Sequence, residues 1–273
     1  MRAGAVTRVL AIVRKDAAEL LKNPGALVPA VSMAIASLIP AFLVAIVAPM
    51  FAGETLAESN EFSDGASLAI SIVPELATLS GNALVQGFVF HQFGLLILMV
   101  PVVGSMAIAA HAVIGEKLAR TLEPLLATPI STGELLAAKT LTPLALSLLL
   151  LWLTLAAFIA GIAAVGEPGV WQTLLGSRTL LLFFVVGPLL TLVALLLAVI
   201  ISSRVNDPRS AQQLGALVVL PITAAFIGQL VGQFLVGSRA LLLASAGLGV
   251  LAACLLWIGI RVFDRERILM RWK

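Results

Sequence analysis

The sequence predicts an all-α membrane protein: six transmembrane helices, an N-terminal amphipathic in-plane helix, and a short cytoplasmic helix between spans two and three. Three observations predict it. Of the 273 residues, 60% are hydrophobic and 11% charged, against roughly 45–50% and about 25% in a soluble domain. Six segments reach the ~20 consecutive apolar residues that cross about 30 Å of hydrocarbon. The basic residues between those segments fall almost entirely on one side. A water-soluble enzyme is excluded, because 17 Lys and Arg with 14 Asp and Glu cannot supply a charged skin. A net charge of +3 is too small to mark a nucleic-acid partner. The single cysteine, Cys254, excludes an intramolecular disulfide and a cysteine-based zinc site.

Residues 1–25 come first. Val6, Leu10, Val13, Ala17 and Leu20 recur at helical intervals, with Arg8, Lys15, Glu19 and Lys22 on the opposite face. An apolar stripe backed by cations is the pattern of a helix lying in the membrane surface, its charges toward anionic headgroups. Asn23-Pro24-Gly25 ends it. The apolar stretch that follows is longer than a signal core and has no small-residue cleavage site, so it is expected to stay in the mature protein.

The transmembrane domain is drawn over 26–262, with spans at Ala26 to Met50, Phe93 to Ile114, Thr140 to Val165, Thr179 to Ser202, Ala211 to Leu235 and Ala240 to Val262. None contains Asp, Glu or Lys, and Arg261 lies at the far end of the sixth. A seventh candidate, Ala66 to Phe90, carries Pro74, Glu75, Asn82 and Gln86. A charge at a helix centre costs on the order of 2.5–3.5 kcal/mol on insertion scales, so this segment is read as part of an external loop, 51–92. Pro40, Pro101, Pro188 and Pro221 sit inside spans as sources of kinks.

Six spans place all but Arg178 and Arg239 of the 17 basic residues on one side. By the positive-inside rule both termini are cytoplasmic, including the basic tail 263–273, and the protein is multi-pass in the cytoplasmic (inner) membrane. The loop 51–92 agrees, since it holds Glu54, Glu58, Glu61, Asp64 and Glu75 without a Lys or Arg. Trp171 and Trp272 suit interfacial anchoring.

The cytoplasmic segment 115–139 is too patterned for a plain connector. Leu118, Leu122, Leu125 and Leu126 lie at helical spacing, while Glu116, Arg120 and Glu123 project elsewhere. Thr128-Pro129 breaks the helix, and Ser131 with Glu134 forms a capping box that starts the next one. A short amphipathic helix is thus tied at both ends to membrane helices, an arrangement suited to transmitting a push.

Glu116, Arg120-Thr-Leu-Glu123, Leu125-Leu126, Thr128-Pro-Ile-Ser131, Glu134 and Lys139 together resemble the signature after the second span of type-2 ABC transporter permeases. The layout is similar too: a basic in-plane helix, six spans and both ends inside. Ala119 stands where that family usually has Gly, and Pro124 where it has a helix former. The resemblance implies an exporter's membrane subunit whose 116–126 segment is a coupling helix. Glu116, Arg120, Leu122, Glu123, Leu125 and Leu126 would contact a separate cytosolic ABC ATPase subunit. It also implies a second permease copy or a related permease, forming a homo- or heterodimer. No cofactor is expected on this chain, with ATP and Mg on the partner ATPase.

In the fifth span, Gly228 and Gly232 form a Gly-x-x-x-Gly pair that permits close helix approach, with Gln229 and Gln233 beside it. Packing within the chain, a subunit interface or an outer gate would each use it, and the resemblance favours the gate. Thr223, Gln229 and Gln233 are the side chains placed to touch cargo.

Other chemistry is weakly represented. Gly133-x-x-x-x-Ala138-Lys139-Thr140 lacks the second glycine of a phosphate-binding loop and runs into a span rather than following a strand. His91 and His111 have no carboxylate or second histidine at ligand spacing. Spans nearly free of ionisable groups argue against an ion-coupled secondary transporter. An ATP-independent channel or secondary transporter is the alternative function, and a membrane scaffold a third. The apolar interior favours a hydrophobic or amphipathic cargo and lipid as the surrounding partner.

Overall fold

The computed structural model describes residues 2–58, 60–118, 132–202, 216–232 and 235–262. Among them every regular element is helical. The principal helices are α1 (Arg2–Leu21), α2 (Pro24–Phe42), α3 (Asn60–Ala69), α4 (Gly81–Phe93), α5 (Met99–Leu118), α6 (Thr132–Val165), α7 (Val170–Thr173), α8 (Ser177–Leu181), α9 (Gly187–Ser202), α10 (Val219–Gly232) and α11 (Ser238–Val262). Five apolar runs are long enough to cross a membrane: Leu27–Ala52, Gly81–Ala109, Thr140–Val165, Ser177–Ile201 and Ser238–Gly259. α10 is a shorter apolar helix, and residues 211–215 of the fifth expected span lie outside the described residues.

α1 covers the segment expected to form a helix, and Leu20 buries against Ile108, Leu27 and Leu146. Asn23 caps α2, its side-chain oxygen accepting from Gly25 N at 3.0 Å, with Pro24 at the first helical position. Along α2 and the turn that follows it the small residues Ala30, Ala34, Ser37, Ala41 and Ala45 are buried, while Val28, Val31, Ile35 and Ile39 face outward. This small face lies against α5. A Cβ built on Gly104 would lie 3.1 Å from the Ala30 Cβ, so the two backbones approach as closely as small residues allow. A π-helical turn, Leu43–Val47, and Ala48–Ala52 continue the run. Gly53 then ends it with φ 71°, its N–H donating to the Pro49 carbonyl at 3.0 Å.

The second apolar helix differs from the sequence expectation. It begins at Gly81, within the segment drawn as external loop, and runs through α4, a 3-10 stretch (Gly94–Leu98) and α5 without a break. It is also the central pillar: 89% of its apolar window is buried, against 17–50% for the other four runs. Polar residues argued against a helix in hydrocarbon there, but the fold buries Gln86, His91 and Gln92 inside the bundle rather than toward lipid. At one level the pillar meets both neighbours through rings. Phe90 packs edge-on against Phe42 of α2 (centroids 5.5 Å) and Phe158 of α6 (5.8 Å).

The fourth run starts at Ser177 and passes through a second π-turn, Leu182–Val186. Trp152 Nε1 donates to the Phe183 carbonyl at 3.3 Å, and its ring stacks on Phe184. α9 then packs on α5, α6 and α11. Hydroxyls in these apolar helices turn inward on their own backbone: Thr191 donates to the Gly187 carbonyl at 2.6 Å and Ser245 to the Leu241 carbonyl at 2.8 Å.

Candidate functional site

Segments 53–80, 166–176 and 235–237 gather at one end of the bundle, and polar side chains tie them together. Asn82 Nδ2 donates to Glu167 Oε1 at 3.0 Å. Gln86 accepts from Glu167 N at 2.7 Å and donates to the Ala45 carbonyl at 3.3 Å. Glu75 accepts from Ser177 N at 3.3 Å, and its carboxylate fills the space that a Cβ on Gly176 would need.

Beneath these loops lies a buried cluster built from four elements. Arg178, on the first turn of α8, is 2% exposed. Its Nε donates to the Val236 carbonyl at 2.9 Å, Nη1 to His91 Nδ1 at 3.3 Å, and Nη2 to Gln229 Oε1 at 3.5 Å. Gln229 of α10 is fully buried, and its Oε1 also accepts from Val236 N at 2.8 Å. Gln92 of α4 donates through Nε2 to the Gln229 carbonyl at 2.7 Å. Beside them Phe93, the residue after Gln92, and Phe226, nearly one turn before Gln229, pack ring to ring at 5.4 Å.

The chemistry of the cluster follows from its donors. A guanidinium only donates, so Nδ1 is the accepting nitrogen of His91 and the ring proton sits on Nε2. All three acceptors of Arg178 are neutral, and among the described residues no ion pair includes it. Within the cluster, His91 Nε2, Gln92 Oε1 and Gln229 Nε2 are buried without a hydrogen-bond partner among the described residues. Each such atom typically costs about 1–3 kcal/mol. The cluster is therefore a cationic, under-satisfied centre in an apolar surround.

The expected gate residues separate here. Gln229 stands inside the cluster. Thr223 is half-buried and spends its hydroxyl on the Val219 carbonyl at 3.0 Å. Among the described residues Gly228 marks no close approach, since a Cβ there would meet nothing within 4 Å, and Gly232 is exposed. Gln233 lies outside the described residues. So do Arg120, Leu122, Glu123, Leu125 and Leu126, while Glu116 falls in the last turn of α5.

Arg178, His91 and Gln92 were not singled out as site residues by sequence reasoning. Arg178 looks like a loop charge just before a span, and His91 and Gln92 like the end of a polar loop. The available signal was Gly176-Ser177, a helix start that carries Arg178 into the apolar run rather than before it.

A family model described as ABC-2 family transporter protein matches residues 74–236, more than half of the chain and all four elements of the cluster. No curated protein matches the sequence. Family members are membrane components of transporters that work with an ATPase subunit and are not themselves catalytic. With its apolar, membrane-capable helices and this match, the chain belongs to the ABC-2 transporter family and is an integral membrane permease of the type-2 ABC class.

Proposed function

We propose that the chain is the membrane subunit of an ATP-driven exporter, moved by a separate cytosolic ATPase through the coupling segment 116–126. Two copies, or this chain with a related permease, enclose the pathway. Both termini are cytoplasmic in the inner membrane, and the end holding Arg178 faces outward. The observation that carries the reading is mechanical. One unbroken helical run, 81–118, carries Gln92 about a third of the way along and Glu116 near its far end, about 36 Å apart at 1.5 Å per residue.

A displacement of the coupling segment is delivered along that run to the contact between Gln92 and Gln229. There α10 is held to α4 and, through Arg178, to α8 and the 235–237 segment. The cluster thus acts as the outer gate, closed until ATP binding moves α5. The open face of α10 around Gly228 and Gly232, with Ile227 and Val231 exposed, suits a second permease across the pathway. Thr223 of α10, and Gln233 beyond the described residues, are the pathway candidates.

The test is to co-purify the chain with its ATPase subunit and compare wild type with Glu123→Arg. Loss of ATPase binding and of ATP-dependent transport is expected; unchanged binding and transport removes the coupling role.

A further inference from the structure

We infer that the cluster of His91, Gln92, Arg178 and Gln229 is the recognition site for the anionic head of an amphipathic cargo, a phosphate or carboxylate group. This deepens the exporter reading by naming its substrate class, and rests on it only in taking the ligand to be cargo. An ionisable side chain held inside a membrane protein is retained at a cost and marks function by default. Arg178 is such a cation, and among the described residues its acceptors are all neutral.

Its weakest partner is also its most replaceable. Gln229 Oε1 lies 3.5 Å from Nη2 and has a better donor in Val236 N at 2.8 Å. An oxyanion can take Nη2 without orphaning the amide oxygen, and it adds a charge–charge attraction and a bidentate fit to the guanidinium that a neutral amide oxygen does not supply. Gln229 Nε2 is a buried donor without an acceptor, so the same anion satisfies a second group. The cluster is buried among apolar side chains, with the Phe93–Phe226 ring pair adjacent, and the outer face of the same α10 exposes Ile227, Leu230 and Val231. That surround fits an alkyl tail, not a free inorganic ion. Binding also acts on the gate, because taking Arg178 from Gln229 loosens the hold on α10.

The experiment uses the full chain with its ATPase subunit in phosphatidylcholine nanodiscs and three labelled probes of one chain length: dodecyl phosphate, dodecanol and dodecyltrimethylammonium. Saturable binding of dodecyl phosphate, about tenfold or more tighter than the other two, is expected. It should be lost in Arg178→Gln and partly kept in Arg178→Lys, which retains the charge. Equal binding of the three probes by wild type overturns the proposal without recourse to any variant, as does undiminished binding by a folded Arg178→Gln.

Added phosphatidylglycerol separates the two sources of such a head. If cargo is the ligand, dodecyl phosphate stays bound and stimulates ATP hydrolysis. Displacement by the lipid, with hydrolysis unmoved, makes the site a lipid-headgroup site and overturns the cargo assignment. The transport reading fails separately: dodecyl phosphate bound through Arg178, with no ATP-driven transport of any probe, leaves the anion site standing and removes the exporter.

Discussion

Gln92 donates its side-chain amide to the main-chain carbonyl of Gln229 across 2.7 Å, although 137 positions separate them in the sequence. A side chain bonded to a main-chain carbonyl holds the partner helix by its backbone, so α10 is fixed to the central pillar whatever its own side chains do. Gln229 in turn receives Arg178 and Val236 N on its side-chain oxygen. Three helices and a connecting segment are joined through this one residue.

Replacing Gln229 by Leu should therefore do more than remove one contact. Val236 N loses its acceptor and Arg178 loses one of three, and a buried donor left unsatisfied costs about 1–3 kcal/mol. We expect a lower thermal unfolding midpoint and ATP hydrolysis less tightly coupled to transport. Thermal unfolding of the purified chain, with hydrolysis measured alongside transport, checks both.

The glycines divide by their surroundings. A Cβ on Gly161 would lie 2.7 Å from Phe42 Cζ, inside the ring contact that joins α2, α4 and α6. Gly161→Leu should destabilise the fold by about 1–3 kcal/mol through overpacking. Gly228→Leu meets nothing within 4 Å, so it should leave the stability of a single chain within about 0.5 kcal/mol of wild type. If α10 faces a second permease, it should instead weaken pairing, which cross-linking in the membrane would detect.

Sidedness can be read with thiol labels, because Cys254 is the sole cysteine and Cys254→Ala supplies a cysteine-free background. A cysteine at exposed Thr55 should react with a membrane-impermeant maleimide in intact cells. One at Thr7, in α1, should react only after the membrane is opened. Labelling of both from outside would contradict the assigned orientation.

Most of the helical layout was legible because apolar length alone reports a span. The helix that carries the third run, Thr132–Val165, ends at the Val165 where hydropathy ends the span. What hydropathy misses is partnership. Gln86 and Gln92 look too polar for a membrane helix until Glu167 N, the Ala45 carbonyl and the Gln229 carbonyl are brought to them by remote segments. The start of the second run at Gly81, and the burial of Arg178 at the head of the fourth, depend on such partners. Gln229 is legible as a polar residue inside an apolar helix, whereas the surroundings of its neighbour Gly228, where a Cβ meets nothing within 4 Å among the described residues, are not.

The central claim is that motion is supplied by a separate ATPase through the 116–126 segment. It is tested most directly by following a radiolabelled amphipathic anion in inside-out proteoliposomes containing the chain with or without its ATPase subunit. The account predicts uptake that requires both the ATPase and ATP and is abolished by Glu123→Arg. Uptake of the same size by vesicles holding this chain alone, with no nucleotide present, would contradict it.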